Sequence, residues 1–291
     1  MSLFVKFNLI LVVVFAAALV PVTAIANGLL QRSARDQVVE NARIMMQTAH
    51  ATRTYTVKQI KPLLEPRLAE EFLPQSVPAY SATEIFNYIR ESHPEYTYKE
   101  ATLNPTNPRN RTVDWEADLV NAFRSDRELK ELIGERESPL GASLYLGRPI
   151  RITDPACLTC HTTPETAPAS VVRAYGTAGG FGWKLDEVIG AQIVSVPMSV
   201  PIRAADTAFR TLIGSVVTVF VIMLLILNLL LWLVVIRPLR ALSGMADQVS
   251  TGNFEAPEVQ VPGRDEVAVL ASSFNRMRIS LTKALRMLEN A

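Results

Sequence analysis

The longest uncharged stretch of the sequence restricts the fold of this chain more than any other feature. Residues 212–236 carry no charged side chain, and Arg237 and Arg240 follow. A second apolar stretch covers residues 7–26 after Lys6. At about 1.5 Å per residue, each stretch can cross a hydrocarbon core of about 30 Å as a helix. We therefore expect two transmembrane helices, and we expect Asn228 to be able to hydrogen-bond a neighbouring helix.

The first apolar stretch has an alternative interpretation. Residues 24–26 read AIA, which is typical of a signal-peptidase site behind a short apolar core. The residues that follow have a helical pattern and do not look like a free mature N-terminus. We favour an uncleaved membrane anchor.

Basic residues next to the two stretches predict the orientation of the chain. Lys6, Arg237 and Arg240 place both chain ends in the cytoplasm, because positive residues flank the cytoplasmic side. The predicted domains are a first span or signal anchor (1–27), an exported domain (28–210), a second span (211–236) and a cytoplasmic domain (237–291). The net charge of +1 gives no indication of nucleic-acid binding.

The only two cysteines lie in one pentapeptide inside the exported domain. Cys157, Cys160 and His161 form a Cys-x-x-Cys-His motif, which is typical of covalent haem attachment. Two thiols at this spacing can bind the two haem vinyl groups, and the histidine can ligate the iron. A redox dithiol, half of a zinc site and a disulfide are the alternatives, but no second cysteine pair exists to complete a zinc site. The motif predicts one covalent haem c, which bacteria attach outside the cytoplasmic membrane.

The second axial ligand of the iron stays open at this point. The exported candidates are three methionines and two further histidines, and methionine or histidine opposite histidine is ordinary haem chemistry. Met46 is the first candidate, with Met45 and His50 close behind, then Met198 and His93. An open sixth position would suit a gas sensor.

The pattern of the exported domain indicates an α+β fold around an antiparallel sheet. We expect a long helix over residues 27–61, with a break near Tyr55, and helices over 81–92 and 115–133. We expect strands near residues 96–102 and 144–152, a strand pair over 183–198, and four or five strands in all.

The C-terminal tail shows a seam of apolar residues. After Pro238, residues Leu242, Met245 and Val249 form a short stripe, and a connector with two prolines leads to a helix opened by Asp265. Apolar positions then recur at spacings of three and four: Val267, Leu270, Phe274, Met277, Leu281, Ala284 and Leu288. A seam this narrow requires partner helices, which predicts a parallel four-helix bundle formed by a homodimer.

These motifs resemble two known modules of bacterial membrane receptors. Pro238, Asp265-Glu266 with Leu270, and the FNRM sequence of residues 274–277 resemble a HAMP domain over residues 237–289. Residues 101–108, 157–161, 180–183 and 197–198 resemble c-type haem-binding, PAS-like sensor domains over about residues 40–205. The resemblance implies a PAS-like sheet with flanking helices, haem at Cys157 and Cys160, and His161 as a ligand. Some members use a cysteine of the long helix as the other ligand, where this sequence has Met45 and Met46.

The resemblance implies a membrane-bound haem sensor of redox state or of a diatomic gas, in the bacterial inner membrane. Its haem domain would be periplasmic and its HAMP domain cytoplasmic. Because the sequence ends at Ala291, shortly after the HAMP helix, we expect either a separate signalling protein that produces the output or a truncated chain. We see no enzyme signature. The alternative function is a membrane-anchored cytochrome for electron transfer.

Overall fold

The computed structural model describes residues 3–68, 70–138, 141–254 and 257–289. The chain divides into two compact units, residues 21–209 and residues 1–20 together with 210–291.

The described residues form helices and one four-stranded sheet. The α-helices are α1 (Leu3–Tyr55), α2 (Lys61–Leu64), α3 (Pro78–Ser92), α4 (Asp114–Ser125), α5 (Leu158–His161), α6 (Ala169–Tyr175), α7 (Ser199–Leu231), α8 (Arg237–Ser250) and α9 (Glu266–Glu289). The strands are β1 (Thr97–Thr102), β2 (Leu132–Ser138), β3 (Gly141–Arg151) and β4 (Val188–Pro197). Short π-helical turns follow α1 at Thr56–Ile60 and α7 at Trp232–Ile236.

The four strands form an antiparallel sheet in the order β1-β4-β3-β2. Alternate residues of β3 and β4 point to opposite faces, and both faces are covered. On one face, Leu144, Leu146 and Val194 pack with residues of α1 and α3. On the other face, Ala191 and Ile193 pack with residues of α4. The unit therefore has three layers, and its antiparallel sheet confirms the predicted α+β class.

Helix α1 contributes a stripe of small and flexible residues to the first core. Val38, Ala42, Met46 and Ala49 recur at helical spacing and are at most 1% exposed. Alanine at two of these positions lets the helix backbone approach the sheet closely. The predicted break near Tyr55 corresponds to the π-helical turn at Thr56–Ile60.

Two of the secondary-structure predictions are wrong. The helix expected over residues 115–133 ends at Ser125, and Leu132 and Ile133 belong to strand β2, paired with β3. The apolar side chains that continue the helical pattern in the sequence instead complete the sheet. The strand pair expected over residues 183–198 is a single strand, β4, preceded by a glycine-rich loop and a turn.

Helix α6 has no counterpart in the sequence predictions. Helix α3 begins at Pro78, three residues before the predicted start at residue 81, because proline fits the first turn of a helix.

The unit that contains residues 1–20 and 210–291 includes two strongly apolar helical segments. The helices that carry them are long and apolar enough to cross a membrane, with mean hydropathies of 2.8 and 3.2 over their most apolar windows. Within this unit, the Asn8 and Asn228 amides donate hydrogen bonds to each other at 2.7 Å, so the predicted partner of Asn228 is found. Phe15 and Phe220 stack with their ring centroids 3.7 Å apart.

Helices α8 and α9 share a small apolar core in the same unit. Leu242 and Met245 of the predicted stripe are buried with Ala271 of α9. The Asn275 amide donates to the Val259 carbonyl at 3.1 Å, which fastens the connector to α9. Asp265 accepts a hydrogen bond from the Ala268 amide at 2.8 Å and so caps α9, as the sequence indicates.

Several residues of the predicted seam on α9 remain exposed in the single chain. Leu270, Met277 and Leu281 are 50%, 49% and 43% exposed. Such a row of apolar side chains is typical of a helix that packs on further helices. The side chain of Leu288, also predicted in the seam, lies outside the described residues.

Candidate functional site

The Cys-x-x-Cys-His motif lies in the connection between β3 and β4. Cys157 ends a 3₁₀ turn (Pro155–Cys157), and Cys160 and His161 lie in the single turn of α5. Asp154 starts this turn by accepting a hydrogen bond from the Ala156 amide at 2.9 Å. Residues three apart on a helical turn share one side, so both thiols can reach one planar ligand.

The imidazole of His161 is held in one orientation. Its Nδ1 lies 2.7 Å from the Gly180 carbonyl oxygen and 3.4 Å from the Thr106 hydroxyl. The ring stacks on Trp183, with centroids 3.8 Å apart and an interplanar angle of 14°. Because a carbonyl oxygen only accepts, Nδ1 carries the proton in this hydrogen bond. The Nε2 lone pair is therefore left for a metal, as in ordinary histidine ligation.

Burial lowers the pKa of His161, although the hydrogen bond to the Gly180 carbonyl opposes this effect. Its ordinary pKa is already below neutral, so the side chain is neutral at neutral pH. A neutral imidazole is the form that binds a metal ion.

The glycine-rich loop after α6 packs against His161. Gly180 has a φ of 84°, and a Cβ atom there would overlap Thr106. The Asn104 side chain accepts from the Gly180 amide at 3.2 Å and donates to the Phe181 carbonyl at 3.0 Å. The backbone amide of Trp183 also donates to the His161 carbonyl at 3.2 Å. The loop, α5 and the segment after β1 are thus joined around one histidine.

The two cysteines are free and half-buried. Burial raises the pKa of the Cys157 thiol, Asp154 raises it further, and Arg53 partly opposes the shift. Burial also raises the pKa of Cys160, and the positive charge of Lys61 opposes it. A reactive redox dithiol needs a lowered thiol pKa, so these surroundings disfavour the dithiol interpretation.

Arg53, whose charge acts on Cys157, belongs to a polar network with residues of β1 and β4. Its guanidinium forms an ion pair with Glu100, whose side chain is 4% exposed. Glu100 accepts a hydrogen bond from the Tyr98 hydroxyl at 2.8 Å, and the Gln192 amide donates to that hydroxyl at 3.0 Å. Burial and the charge of Glu100 raise the pKa of Tyr98 well above its ordinary value, so the hydroxyl stays protonated.

The candidate second ligands occupy different surroundings. Met46 is fully buried in the core between α1 and the sheet, with Met45 at the edge of that core and Met198 also within it. His50 is exposed, and His93 lies 3.9 Å from Glu95. The contacts of the His161 ring described above involve none of these side chains. The identity of the second ligand stays a prediction.

Sequence reasoning missed the side chains that hold His161. Asn104, Thr106 and Trp183 stand in the stretches on which the resemblance rests, but no role was inferred for them. They lie 57, 55 and 22 positions from His161 in the sequence, so nothing local marks them as its neighbours. Arg53, which acts on Cys157, was likewise not predicted.

The Gly180→Ala variant tests the loop. An alanine at this position is strained by the positive φ, and its methyl group displaces Thr106. We therefore expect a loss of about 2–5 kcal/mol in the free energy of unfolding. Gly182→Ala is the matched control, because Gly182 has a φ of 81° and a Cβ atom there would meet nothing within 4 Å. The control should lose only about 1–2 kcal/mol. Equal losses in chemical denaturation of the two variants would contradict the close contact with Thr106.

Comparison with known protein families identifies two regions. A family model described as Tll0287-like matches residues 31–197, more than half of the chain. A HAMP domain model matches residues 230–283. No curated protein matches the chain.

Among solved structures, the chain is similar to the cyanobacterial heme-protein Tll0287. The sequence identity is 16% and the TM-score is 0.43, and the match covers 55% of this chain and 94% of that chain. The family model, which spans much of helix α1, the whole sheet and the Cys-x-x-Cys-His motif, gives the assignment. The chain belongs to the Tll0287-like family, and its family domain is followed by a HAMP domain.

Proposed function

We propose that this protein is a membrane-bound haem sensor that responds to redox state or to a diatomic gas and relays the response through its HAMP domain. In this proposal, Cys157 and Cys160 hold one haem c covalently and His161 is an axial iron ligand. The observation that carries the proposal is the arrangement of His161. Its Nδ1 bonds to the Gly180 carbonyl, its Nε2 is left for a metal, and it shares one helical turn with Cys160, directly after Cys157.

The residues of the motif fit this cofactor chemically. Thioether formation needs two thiols that can reach the two haem vinyl groups, and iron ligation needs a neutral imidazole. The protein that gives the family its name is described as a heme-protein. When bound, haem would supply an iron centre able to accept an electron or a gas molecule.

The chain's own residues would orient and tune that centre. Gly180 and Trp183 fix the plane of the His161 ring. Arg53 and Lys61 place positive charge near the cysteines, which would favour added negative charge at the site. Met46 remains our first candidate for the second axial ligand, with Met45 and His50 as alternatives.

The proposed topology follows the sequence predictions. Residues 28–210 would form a PAS-like haem domain on the periplasmic side of the bacterial inner membrane. Residues 1–27 and 211–236 would span the membrane, and residues 237–291 would form the cytoplasmic HAMP domain. The two long apolar helices and the HAMP match support a membrane protein.

The HAMP domain gives a reason to propose signalling through a homodimer. The exposed apolar side chains of Leu270, Met277 and Leu281 need a surface to cover them, and a second copy supplies identical helices. The two states of the sensor must favour different packings of these helices by about 1–3 kcal/mol for a useful response. A separate signalling protein would read the packing, and we assign no enzymatic reaction to this chain.

Removal of both thiols tests the covalent attachment. We expect the Cys157→Ser/Cys160→Ser variant to lose its haem during purification under denaturing conditions, because no thioether can form. The pyridine haemochrome spectrum of the protein, expressed with haem-attachment machinery, measures this. Thr159→Ala is the control, since Thr159 is exposed between the two cysteines. A wild-type protein that is colourless would contradict the proposed function.

Conservative substitutions test the second ligand. Met46→Leu keeps the volume of the core, at a cost under about 1.5 kcal/mol, but removes the thioether sulfur. We expect a lower reduction potential and an altered spectrum of the reduced protein, because methionine ligation raises the potential. Met45→Leu and His50→Gln should leave both unchanged. The ranking is wrong if one of these two variants changes the spectrum and Met46→Leu does not.

Cross-linking in the seam separates a sensor from an electron carrier. A cysteine introduced as Leu270→Cys should be linked by a short bismaleimide at rates that differ about fivefold or more between the oxidised and reduced protein. A bismaleimide is used because reductant would break a disulfide. Val269→Cys, one position off the seam, should show little dependence on haem state. Equal rates at position 270 would favour the electron-transfer cytochrome.

A further inference from the structure

We propose that a cavity in the haem domain, separate from the Cys-x-x-Cys-His motif, binds a small anion that carries carboxylate or phosphate groups. The cavity has a volume of about 350 Å³. It lies where α1, the loop between α4 and β2, and strands β3 and β4 meet. Its polar lining consists of His50, Arg127, Lys130, Arg148, Arg151 and Gln192.

Besides His50, the described lining has four charged residues, and all four are cations: Arg127, Lys130, Arg148 and Arg151. Arg148 bonds to Glu131 at 2.9 Å, and Arg43, outside the lining, shares the same carboxylate at 3.2 Å. Arg127 and Arg151 both lie 3.7 Å from Asp186. Two carboxylates are thus shared among more cations than they can neutralise.

Lys130 adds a further uncompensated charge. It is exposed, and no hydrogen bond or ion pair joins it to another residue in the described parts of the chain. The acidic residues Asp126 and Glu128 flank the loop, but among the described residues they form no ion pair with the lining cations. Asp126 instead accepts a hydrogen bond from the Glu128 amide at 2.9 Å. The potential inside the cavity is therefore positive.

The chemistry and size of the cavity select the class of ligand. Guanidinium groups bind carboxylate and phosphate oxygens through paired hydrogen bonds, and a lysine supplies a point charge. Two arginines of the lining are already oriented: Arg148 by Glu131, and Arg151 by the Asp186 and Arg127 carbonyl oxygens at 3.1 and 3.4 Å. The volume is at the small end of the range for ligand pockets, about 300–1,000 Å³. A small multivalent anion fits better than a nucleotide.

The cavity is linked to the interior of the domain through one of its lining residues. Gln192 lines the cavity and donates a hydrogen bond to the buried Tyr98 hydroxyl at 3.0 Å. No described lining residue belongs to the motif of residues 157–161. Apart from His50, which is also an alternative candidate for the second iron ligand, the site rests on residues that the proposed haem attachment does not use.

The test is calorimetric titration of the full-length, haem-loaded protein in nanodiscs with citrate, succinate or inorganic phosphate at constant ionic strength. We expect saturable binding of one anion per chain for at least one probe. The Arg127→Gln/Lys130→Gln variant should bind that probe about tenfold or more weakly, since each lost charged hydrogen bond costs about tenfold. Both residues are exposed, so the fold should persist.

Arg90→Gln, which removes an exposed charge on α3, is the matched control and should bind as the wild type does. Absence of saturable binding with all three probes overturns the proposal. An equal weakening by Arg90→Gln also overturns it, because the effect would then be nonspecific. If the double variant loses haem or shifts its Soret band, the cavity holds the haem propionates instead, and the proposal is overturned. Citrate, succinate and phosphate affinities distinguish a carboxylate site from a phosphate site, and preference for either supports the proposal.

Discussion

The contact between helix α1 and the sheet is the interaction on which the Tll0287-like domain depends. Ala42 and Ala49 bring the helix backbone close to strands β3 and β4, and Met46 fills the space between them. The same helix continues into Arg53, which is drawn to the buried carboxylate of Glu100. Breaking this pair would leave a buried charge unpaired, which is strongly destabilising in proteins. The helix is therefore fixed to the sheet by apolar packing at one point and by charge at another.

The surroundings of His161 depend on this sheet as well. Strand β1 leads into Asn104 and Thr106, while the connection before β4 supplies Gly180 and Trp183. Because β1 and β4 are hydrogen-bonded neighbours, their loops meet at one edge and enclose the imidazole. A histidine that is oriented before any ligand binds loses little entropy on ligation. The fold thus holds the His161 imidazole in one orientation by itself.

Sequence reasoning captured the parts of this architecture that have local signals. The uncharged stretch of residues 212–236, the cap of α9 and the Cys-x-x-Cys-His motif are readable because each depends on neighbouring residues. The end of α4 was misjudged since Leu132 and Ile133 continue a helical pattern yet pair with β3. That pairing is a tertiary preference, and helical propensity is too weak to resist it. The residues that surround His161 could not be predicted either, because Trp183 and Thr106 contact it only in the folded sheet.

The chain of contacts from Gln192 through Tyr98 and Glu100 to Arg53 ends at the electrostatic surroundings of Cys157. It runs through a region of low polarizability, where a displaced charge is poorly screened. Thermodynamic linkage is reciprocal. If a change at Cys157 alters the free energy of binding at Gln192, then binding at Gln192 alters the free energy of that change by the same amount. If haem and an anion bind as proposed, this chain of contacts would make the affinity of the domain for one depend on the state of the other.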